Sequence, residues 1–377
     1  MYEARFKSQI LNRTSTFSCN AMYCLNNLKE NLKEDKVEAF LITNGINIHY
    51  VTGFTGSESI LLITQKDDYL FTDFRYLEQA KQDVPWIRIV EKKVSLIKTI
   101  CRKLTRLTIK KLYVESLYLT FNQYNEIKNN VKGIRFIPTQ EIIEKYRKRK
   151  TQEEIKIIQT AIDIAERAYS NIRKKIKAGL TEKYLADILE FEIRKQGGEK
   201  SSFEIICAAG AHASQPHARA TYRIIQDKDA ILIDWGVSFQ FYNSDLTRIS
   251  FIDRISPKFK KIYQIVLDAQ CFAIDSVKPG RMAKDVDHAA RNYITKKGFG
   301  KYFGHGLGHG IGLAVHECPV INTRSREILE VGMVFTIEPG VYIPGWGGIR
   351  IEDIVLVTPD GCDVLSHVPK KLTELLI

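Results

Sequence analysis

Along the first 145 residues, short apolar runs alternate with stretches whose apolar positions recur every three or four residues, the pattern of strands alternating with helices. It predicts a helix over Leu25 to Lys36, then strands at Ala39 to Thr43, Ile60 to Thr64 and Tyr69 to Thr72. The last two are joined by the polar turn Gln65 to Asp68. Gly45, Gly53 and Gly56 punctuate the stretch after the first strand, and no element is assigned there. Helices near Arg75 to Gln82, Leu96 to Leu104 and Asn122 to Asn129 then alternate with strands at Ile87 to Val90, Lys111 to Glu115 and Ile134 to Ile137. This βα alternation fits an α/β domain over residues 25–145. The domain holds one histidine, His49, and no cluster of potential ligands, so it is expected to cover or assemble and not to carry chemistry.

A second domain is expected over 146–377, entered through the basic run Tyr146 to Lys150, which reads as solvated surface. Thr151 with Glu154 three residues on is a capping box that opens a long helix to about Ile176. Thr181 caps the next helix, Ser256 and Pro257 begin a third to about Val277, and a fourth runs from Ala283 to Lys297. Between and after them lie strand-like runs, each interrupted by one polar residue.

Those interruptions are acids. Asp234 stands in Ala-Ile-Leu-Ile-Asp-Trp-Gly-Val, Asp245 in Ser-Asp-Leu-Thr-Arg, Glu338 in Val-Phe-Thr-Ile-Glu-Pro-Gly and Glu352 in Gly-Ile-Arg-Ile-Glu-Asp-Ile-Val. A carboxylate in a buried strand needs a cation or stays protonated. The spacing of Asp234 and Asp245 suits a hairpin that brings both onto one face. Strand alternation places Arg350 beside Glu352, where it would support the anionic ligands. Residues 304–319 add the run Gly-His-Gly-Leu-Gly-His-Gly-Ile-Gly-Leu-Ala-Val-His-Glu-Cys-Pro, with His305, His309 and His316 among closely spaced glycines. Glycine admits close backbone approach and positive φ, so a sharply turned segment aiming imidazoles inward is expected, neither an ordinary helix nor an ordinary strand. Four acids joined by one histidine make a cage for two divalent cations, and the absence of thiolates from the set favours manganese or a similar ion over structural zinc.

Composition narrows the class. Hydrophobic residues make up 44% and charged residues 27% of 377, a globular balance and too long a chain for one core. No apolar run approaches the roughly 20 residues that cross a bilayer. The net charge of +12 comes from lysines spread over many helices, without an Arg-rich tract, which argues against nucleic acid. Seven scattered cysteines with no Cys-x-x-Cys pair point to a reducing cytoplasm. Residues 1–24 lack the apolar core of a secretory signal and read as a ragged extension.

Together these stretches resemble the metal-dependent peptidases of the pita-bread fold, the group containing methionine aminopeptidase, aminopeptidase P and prolidase. The resemblance covers residues 25–377, with five motifs in the family's order. It implies an α+β protein: a C-terminal pita-bread catalytic domain behind a smaller creatinase/prolidase-type α/β domain. It also implies the metal ligands Asp234, Asp245, His309, Glu338 and Glu352, with Asp245 and Glu352 bridging. Gln215-Pro-His217-Ala and the flanking His305 and His316 are similar to the Xaa-Pro branch. So are Tyr50-Val-Thr-Gly-Phe-Thr-Gly56 and Thr72-Asp-Phe-Arg-Tyr76 in the first domain. One small departure is Ile354, where an acid is common.

The activity so implied is hydrolysis of the Xaa-Pro bond at a peptide N-terminus by a cytoplasmic homodimer with two Mn²⁺, or Co²⁺ or Zn²⁺ in their place. Glu338 would act as general base, His217 and His316 would steady the carbonyl and tetrahedral intermediate, and His305 would line the proline side. The alternatives are an Xaa-Pro dipeptidase (prolidase) and, from another class, an inactive pita-bread binding protein; the metal-free creatine-hydrolysing relative is a further rival. Retention of all five ligand positions counts against the last two. His49, His212, His288 and His367 lack a comparable setting.

Overall fold

A computed structural model describes residues 24–377, so the expected extension lies outside the described residues apart from Cys24. The chain divides between Tyr146 and Arg147 into two compact units.

The first unit contains α1 (24–34), β1 (Ala39–Ile42), α2 (Gly45–Thr52), β2 (Ser59–Thr64), β3 (Asp68–Thr72), α3 (Leu77–Asp83), β4 (Arg88–Glu91), α4 (Leu96–Arg106), β5 (Lys111–Glu115), α5 (Phe121–Asn130) and β6 (Arg135–Thr139). The strands form one mixed sheet in the order β4-β3-β2-β1-β5-β6. Its core joins apolar strand residues such as Leu41, Leu62 and Phe71 to Ile97, Ile100 and Leu104, the buried stripe of α4. The α/β alternation expected from the sequence is present, with one added helix. Helix α2 occupies the stretch to which no element was assigned, because its glycines stand at its ends. Asn44 caps it by accepting from the Ile46 N–H, and Gly53 closes it at φ 80°. Buried Glu115 also accepts from the Thr43 and Asn44 N–H groups, at 2.6 and 2.8 Å.

A short helix α6 (Glu144–Arg147) leads on to α7 (Gln152–Arg173) and α8 (Glu182–Lys195), followed by β7 (Lys200–Ser201), β8 (Ile206–Ala209), β9 (Ala230–Trp235), β10 (Val237–Phe239), β11 (Tyr242–Asn243) and β12 (Leu246–Phe251). Then come α9 (Pro257–Ser276), α10 (Ala283–Lys296), β13 (Gly308–Gly310), β14 (Glu317–Ile321), β15 (Val334–Ile337), β16 (Gly340–Ile343), β17 (Gly347–Arg350), β18 (Asp353–Thr358) and β19 (Gly361–Val364). The capping box Thr151–Glu154 forms as read, and Ser256 caps α9 with Pro257 in its first turn. Antiparallel strands make a five-stranded sheet, β14-β13-β15-β18-β19, and smaller sheets β12-β9-β8, β11-β10-β7 and β16-β17. Helices α9 and α10 bury Tyr263, Val266, Ala269, Ala290 and Ile294 in one core with Phe335, Ile337, Ile349 and Val355. Helices α7 and α8 share a second core with Ile231, Ile233 and Trp235. The alternating strand faces therefore pack on helices, and what projects elsewhere from the strand ends is free to serve a site.

One ion pair braces this arrangement. Arg248 on β12, 1% exposed, donates to Asp353 Oδ1 of β18 at 2.6 Å and to the carbonyls of Thr247, Glu352 and Val368. Ser366 adds a hydrogen bond of 2.7 Å to the same carboxylate oxygen, and Lys370 pairs with its other oxygen. Removing one partner of such a pair strands the other charge in the interior. Arg248→Leu is therefore expected to destabilise the second unit by about 3–5 kcal/mol in urea unfolding, and a loss under about 1 kcal/mol would show that the pair is dispensable.

The basic run before α7 corrects an expectation. Arg147, Lys148 and Lys150 are buried and paired, not solvated: Arg147 and Lys150 meet Glu317, and Lys148 meets Glu327 at 2.7 Å. Lysine and arginine carry long apolar stems, so sequence alone does not reveal when a buried acid awaits them.

Candidate metal centre

The backbone register brings the acids together. Asp234 on β9 stands opposite Thr247 on β12, and Thr247 is in turn bridged to Glu352. Asp245 immediately precedes β12, while β10 and β11 form the turn-back between the two acids in a separate small sheet. The expected convergence of Asp234 and Asp245 is thus present, reached through that extra hairpin. Glu338 follows the last residue of β15, its N–H bonded to the Leu307 carbonyl at 2.8 Å.

His309 is the middle residue of β13, so part of the Gly/His run is a strand after all, three residues long with a register shift between His309 and Gly310. Its glycines serve close approach and not positive φ, since none of those at 304–312 has φ in the left-handed region. A Cβ at Gly308 would fall 1.9 Å from the Thr336 carbonyl oxygen, and one at Gly310 would fall 2.2 Å from that of Cys318. Only glycine lets β13 lie so near both neighbours.

All nine residues singled out in the sequence line one cavity of about 510 Å³: His217, Asp234, Asp245, His305, His309, His316, Glu338, Arg350 and Glu352. Phe203, Ile206 and Val320 supply apolar wall. Ligand atoms of Asp245, His309 and Glu352 lie within 4.8 Å of one another. Glu338 is adjacent, 3.3 Å from His309 Nε2, and Asp245 is 3.6 Å from the same nitrogen. Asp234 stands outside this tight trio. His49, His212, His288 and His367 do not line the cavity; His212 pairs with buried Glu182 at 2.9 Å.

Hydrogen bonds orient each group. His309 Nδ1 donates to the Gly310 carbonyl at 3.1 Å, which leaves Nε2 as the free ligand atom facing the acids. Arg350 donates to Asp234 Oδ2 at 2.5 Å, to Thr247 Oγ1 at 3.0 Å, to the Pro216 carbonyl and to the Tyr342 hydroxyl at 2.7 Å. Thr247 Oγ1 donates its own hydrogen bond to Glu352 Oε2 at 2.7 Å. The tyrosine hydroxyl donates to His305 Nε2 at 3.0 Å, and His305 Nδ1 donates to the Gly306 carbonyl. Arg350, expected to support the anionic groups, binds Asp234 and is linked to Glu352 through Thr247. Sequence reading missed Tyr342, whose strand context is that of any core aromatic. Thr247 was legible in principle, two residues from Asp245 on the same strand face.

The charges do not balance by protein groups alone. Burial first, then the carboxylates of Glu352, Asp234 and Glu338, push the Asp245 acid well above the ordinary range; burial, Glu338 and Asp234 do the same to Glu352. Asp234 is raised by burial despite Arg350, and its buried Oδ1 has no hydrogen-bond partner among the described residues. Burial would also raise Glu338, but its hydrogen bond to His309 and the charged form of that imidazole, which the surrounding acids favour, bring it to about 2. Oxygen-rich donors, one imidazole, an orphaned carboxylate oxygen and mutual repulsion fit divalent cations.

Residues 156–359 match the profile of metallopeptidase family M24, and residues 25–149 match the creatinase/prolidase N-terminal domain. The chain belongs to metallopeptidase family M24, and its fold is the pita-bread domain preceded by the creatinase/prolidase-type domain. It is 36% identical over 344 residues to the Xaa-Pro dipeptidase of Pyrococcus horikoshii, covering 91% of this chain and 96% of that protein. Among solved structures, the Xaa-Pro dipeptidase from Bacillus anthracis is 40% identical with a TM-score of 0.90, over 95% of this chain and 100% of that one. The X-Pro aminopeptidase from Thermotoga maritima is 37% identical with a TM-score of 0.83, over 91% and 98%. Membership of this family implies use of divalent metal.

Two outcomes are expected. Gly308→Ala should displace β13 and lower both metal content per chain, by elemental analysis, and melting temperature; wild-type metal content would remove the close-approach argument. Because the folded state raises the Asp245 and Glu352 acids, it holds more protons than the unfolded chain above about pH 4, and metal-free stability falls as pH rises. Metal relieves that repulsion, so the gap in melting temperature between metal-loaded and chelator-treated protein should be wider at pH 8 than at pH 6. An equal gap at both would contradict the electrostatic account.

Proposed function

We propose that this chain hydrolyses the Xaa-Pro bond at the N-terminus of proline-containing peptides, using two divalent metal ions held by Asp234, Asp245, His309, Glu338 and Glu352. The observation that carries this reading is the single cavity lined by those five residues together with His217, His305 and His316. When bound, the metals supply Lewis-acid activation of a water and of the scissile carbonyl.

The chain's own residues would do the rest. Glu338, ionised and partly open to the cavity, accepts the proton of the attacking water and returns it to the departing proline nitrogen. His217 and His316, both exposed to the cavity, donate to the oxygen on which negative charge develops. Burial lowers the tendency of each of His305 and His316 to take a proton, so both act as neutral hydrogen-bonding groups. His305, fixed by Tyr342 and packed edge-on to Phe303 at 5.2 Å, forms the proline side. Arg350 holds Asp234 and, through the Pro216 carbonyl, the segment that carries His217.

The dipeptidase form of the activity is favoured by the Pyrococcus and Bacillus relatives, which are named Xaa-Pro dipeptidases; the Thermotoga relative, named an X-Pro aminopeptidase, supports action on longer peptides. Hard oxygen donors favour manganese, with cobalt or zinc as substitutes. The scattered cysteines, with no Cys-x-x-Cys pair, support a reducing cytoplasm, and a homodimer is part of the reading. No helix among the described residues is long and apolar enough to cross a membrane.

Assay of Xaa-Pro against Xaa-Pro-Xaa peptides with Mn²⁺, Co²⁺ and Zn²⁺ is expected to give cleavage of Xaa-Pro substrates that chelation removes. Turnover of peptides lacking proline at equal rates would overturn the specificity. Asp245→Ala and Glu352→Ala should be inactive and deficient in metal. Glu338→Gln should lose activity by about 10²–10⁴-fold, and full activity in any of the three would defeat the assignment.

A further inference from the structure

The buried basic run before α7 has a destination that the cage does not explain. Lys150 Nζ lies 2.7 Å from Glu317 Oε1 and Arg147 Nη2 lies 2.5 Å from Glu317 Oε2, with the three side chains 1%, 5% and 6% exposed. Burial alone would push the Glu317 carboxyl up, but Lys150 and Arg147 hold it below the ordinary range, so the group is ionised. Glu317 also accepts from the Ala314 N–H at 3.2 Å, closing the loop 312–317 on itself. The other end of that loop is fixed by Asn243, whose amide donates to the Gly312 and Leu313 carbonyls at 3.0 and 3.1 Å. A Cβ at Gly312 would stand 2.5 Å from Glu317 Oε1 and 3.1 Å from Lys150 Cε, so glycine makes room for the clamp. The Lys150 N–H is itself anchored on the Gly332 carbonyl, 2.8 Å away.

One residue of this small loop matters outside it. His316 directly precedes Glu317, and its ring centroid is 4.2 Å from that of His309. A buried carboxylate with two cations is a costly way to gain stability, because desolvation offsets most of the attraction. Such a cluster fixes geometry instead, and the geometry it fixes is the backbone carrying an imidazole that is itself exposed to the cavity and whose ring makes no hydrogen bond among the described residues.

We propose that Glu317, clamped by Lys150 and Arg147, is a positioning residue that holds His316 at the substrate side of the cavity. The proposal rests on the role given to His316 above. It makes residues 147–150, at the start of the second unit, part of the catalytic apparatus, acting through one loop.

The test uses the full chain loaded with Mn²⁺. Glu317→Gln would strand two buried cations and endanger folding, whereas Lys150→Met leaves Arg147 to neutralise Glu317 and removes one tether. Lys150→Met is expected to lower kcat/KM on an Xaa-Pro peptide by about ten- to a hundredfold, with the metal content per chain unchanged. In the double variant with His316→Ala, Lys150→Met should add little to the loss caused by His316→Ala alone. The proposal is overturned if Lys150→Met matches wild type while His316→Ala is impaired, if the two losses multiply in full, or if metal content falls in step with activity. If His316→Ala is itself as active as wild type while Asp245→Ala is inactive, the assigned role of His316 fails and the clamp has nothing to position.

Discussion

Four carboxylates placed at the ends of apolar strands, with too little protein charge to neutralise them, are the constraint to which the second unit answers. Arg350 is the buried guanidinium of the cavity lining and is already committed to Asp234, while Arg219, the other arginine of the lining, is exposed and faces Glu204. Burial, and then the neighbouring carboxylates, raise Asp245 and Glu352, and Asp234 Oδ1 has no hydrogen-bond partner among the described residues. In a soluble core such an arrangement is unfavourable unless cations complete it. The hydrogen bonds around the cage are consistent with this: they fix the acids and His309 in place without quenching them. Thr247 contributes to Glu352, the Thr336 hydroxyl contributes to Glu338 at 3.1 Å, and the Gly310 carbonyl aims the imidazole.

Adjacent acids meet opposite fates for a backbone reason. Glu352 turns into the cavity, whereas Asp353 lies at the start of β18 against Arg248, Ser366 and Lys370. One residue's displacement along an extended chain inverts the direction of its side chain, so one carboxylate of the pair faces the cavity and the other is a structural anion. Arg248 also donates to the Glu352 carbonyl, so the brace holds the peptide that carries the cavity-facing acid. A similar economy joins the substrate face to the cage. Arg350, Tyr342 and His305 form a continuous chain of hydrogen bonds from Asp234 to a residue on the proposed proline side.

The glycines of the run at 304–312 are explained by packing and not by unusual dihedral angles. β13 passes so near the carbonyls of Thr336 and Cys318 that any side chain at 308 or 310 would collide with backbone, which cannot swing away as a side chain can. That proximity carries His309 to within 3.3 Å of Glu338 and sets His316 beside it.

The sequence by itself determined the elements and the chemistry. Periodicity located most strands and helices within a few residues, because packing faces repeat at 2.0 and 3.6 residues. An acid inside an apolar run was legible because its burial is so unfavourable that it implies a partner. Composition and five ordered motifs pointed to the peptidase family. Tertiary structure alone decided the rest. Gly45 and Gly53 bracket α2 because their neighbours cap a helix there, which depends on the Asn44 side chain and on Glu115, 71 residues from it. Arg350 serves Asp234 and not its sequence neighbour because β9 and β17 meet in space. The basic run turned from surface to buried clamp because Glu317, 167 residues from Lys150, awaited it in the core. In each case the deciding interaction lies between residues far apart in the chain, and local pattern carries no record of a distant partner.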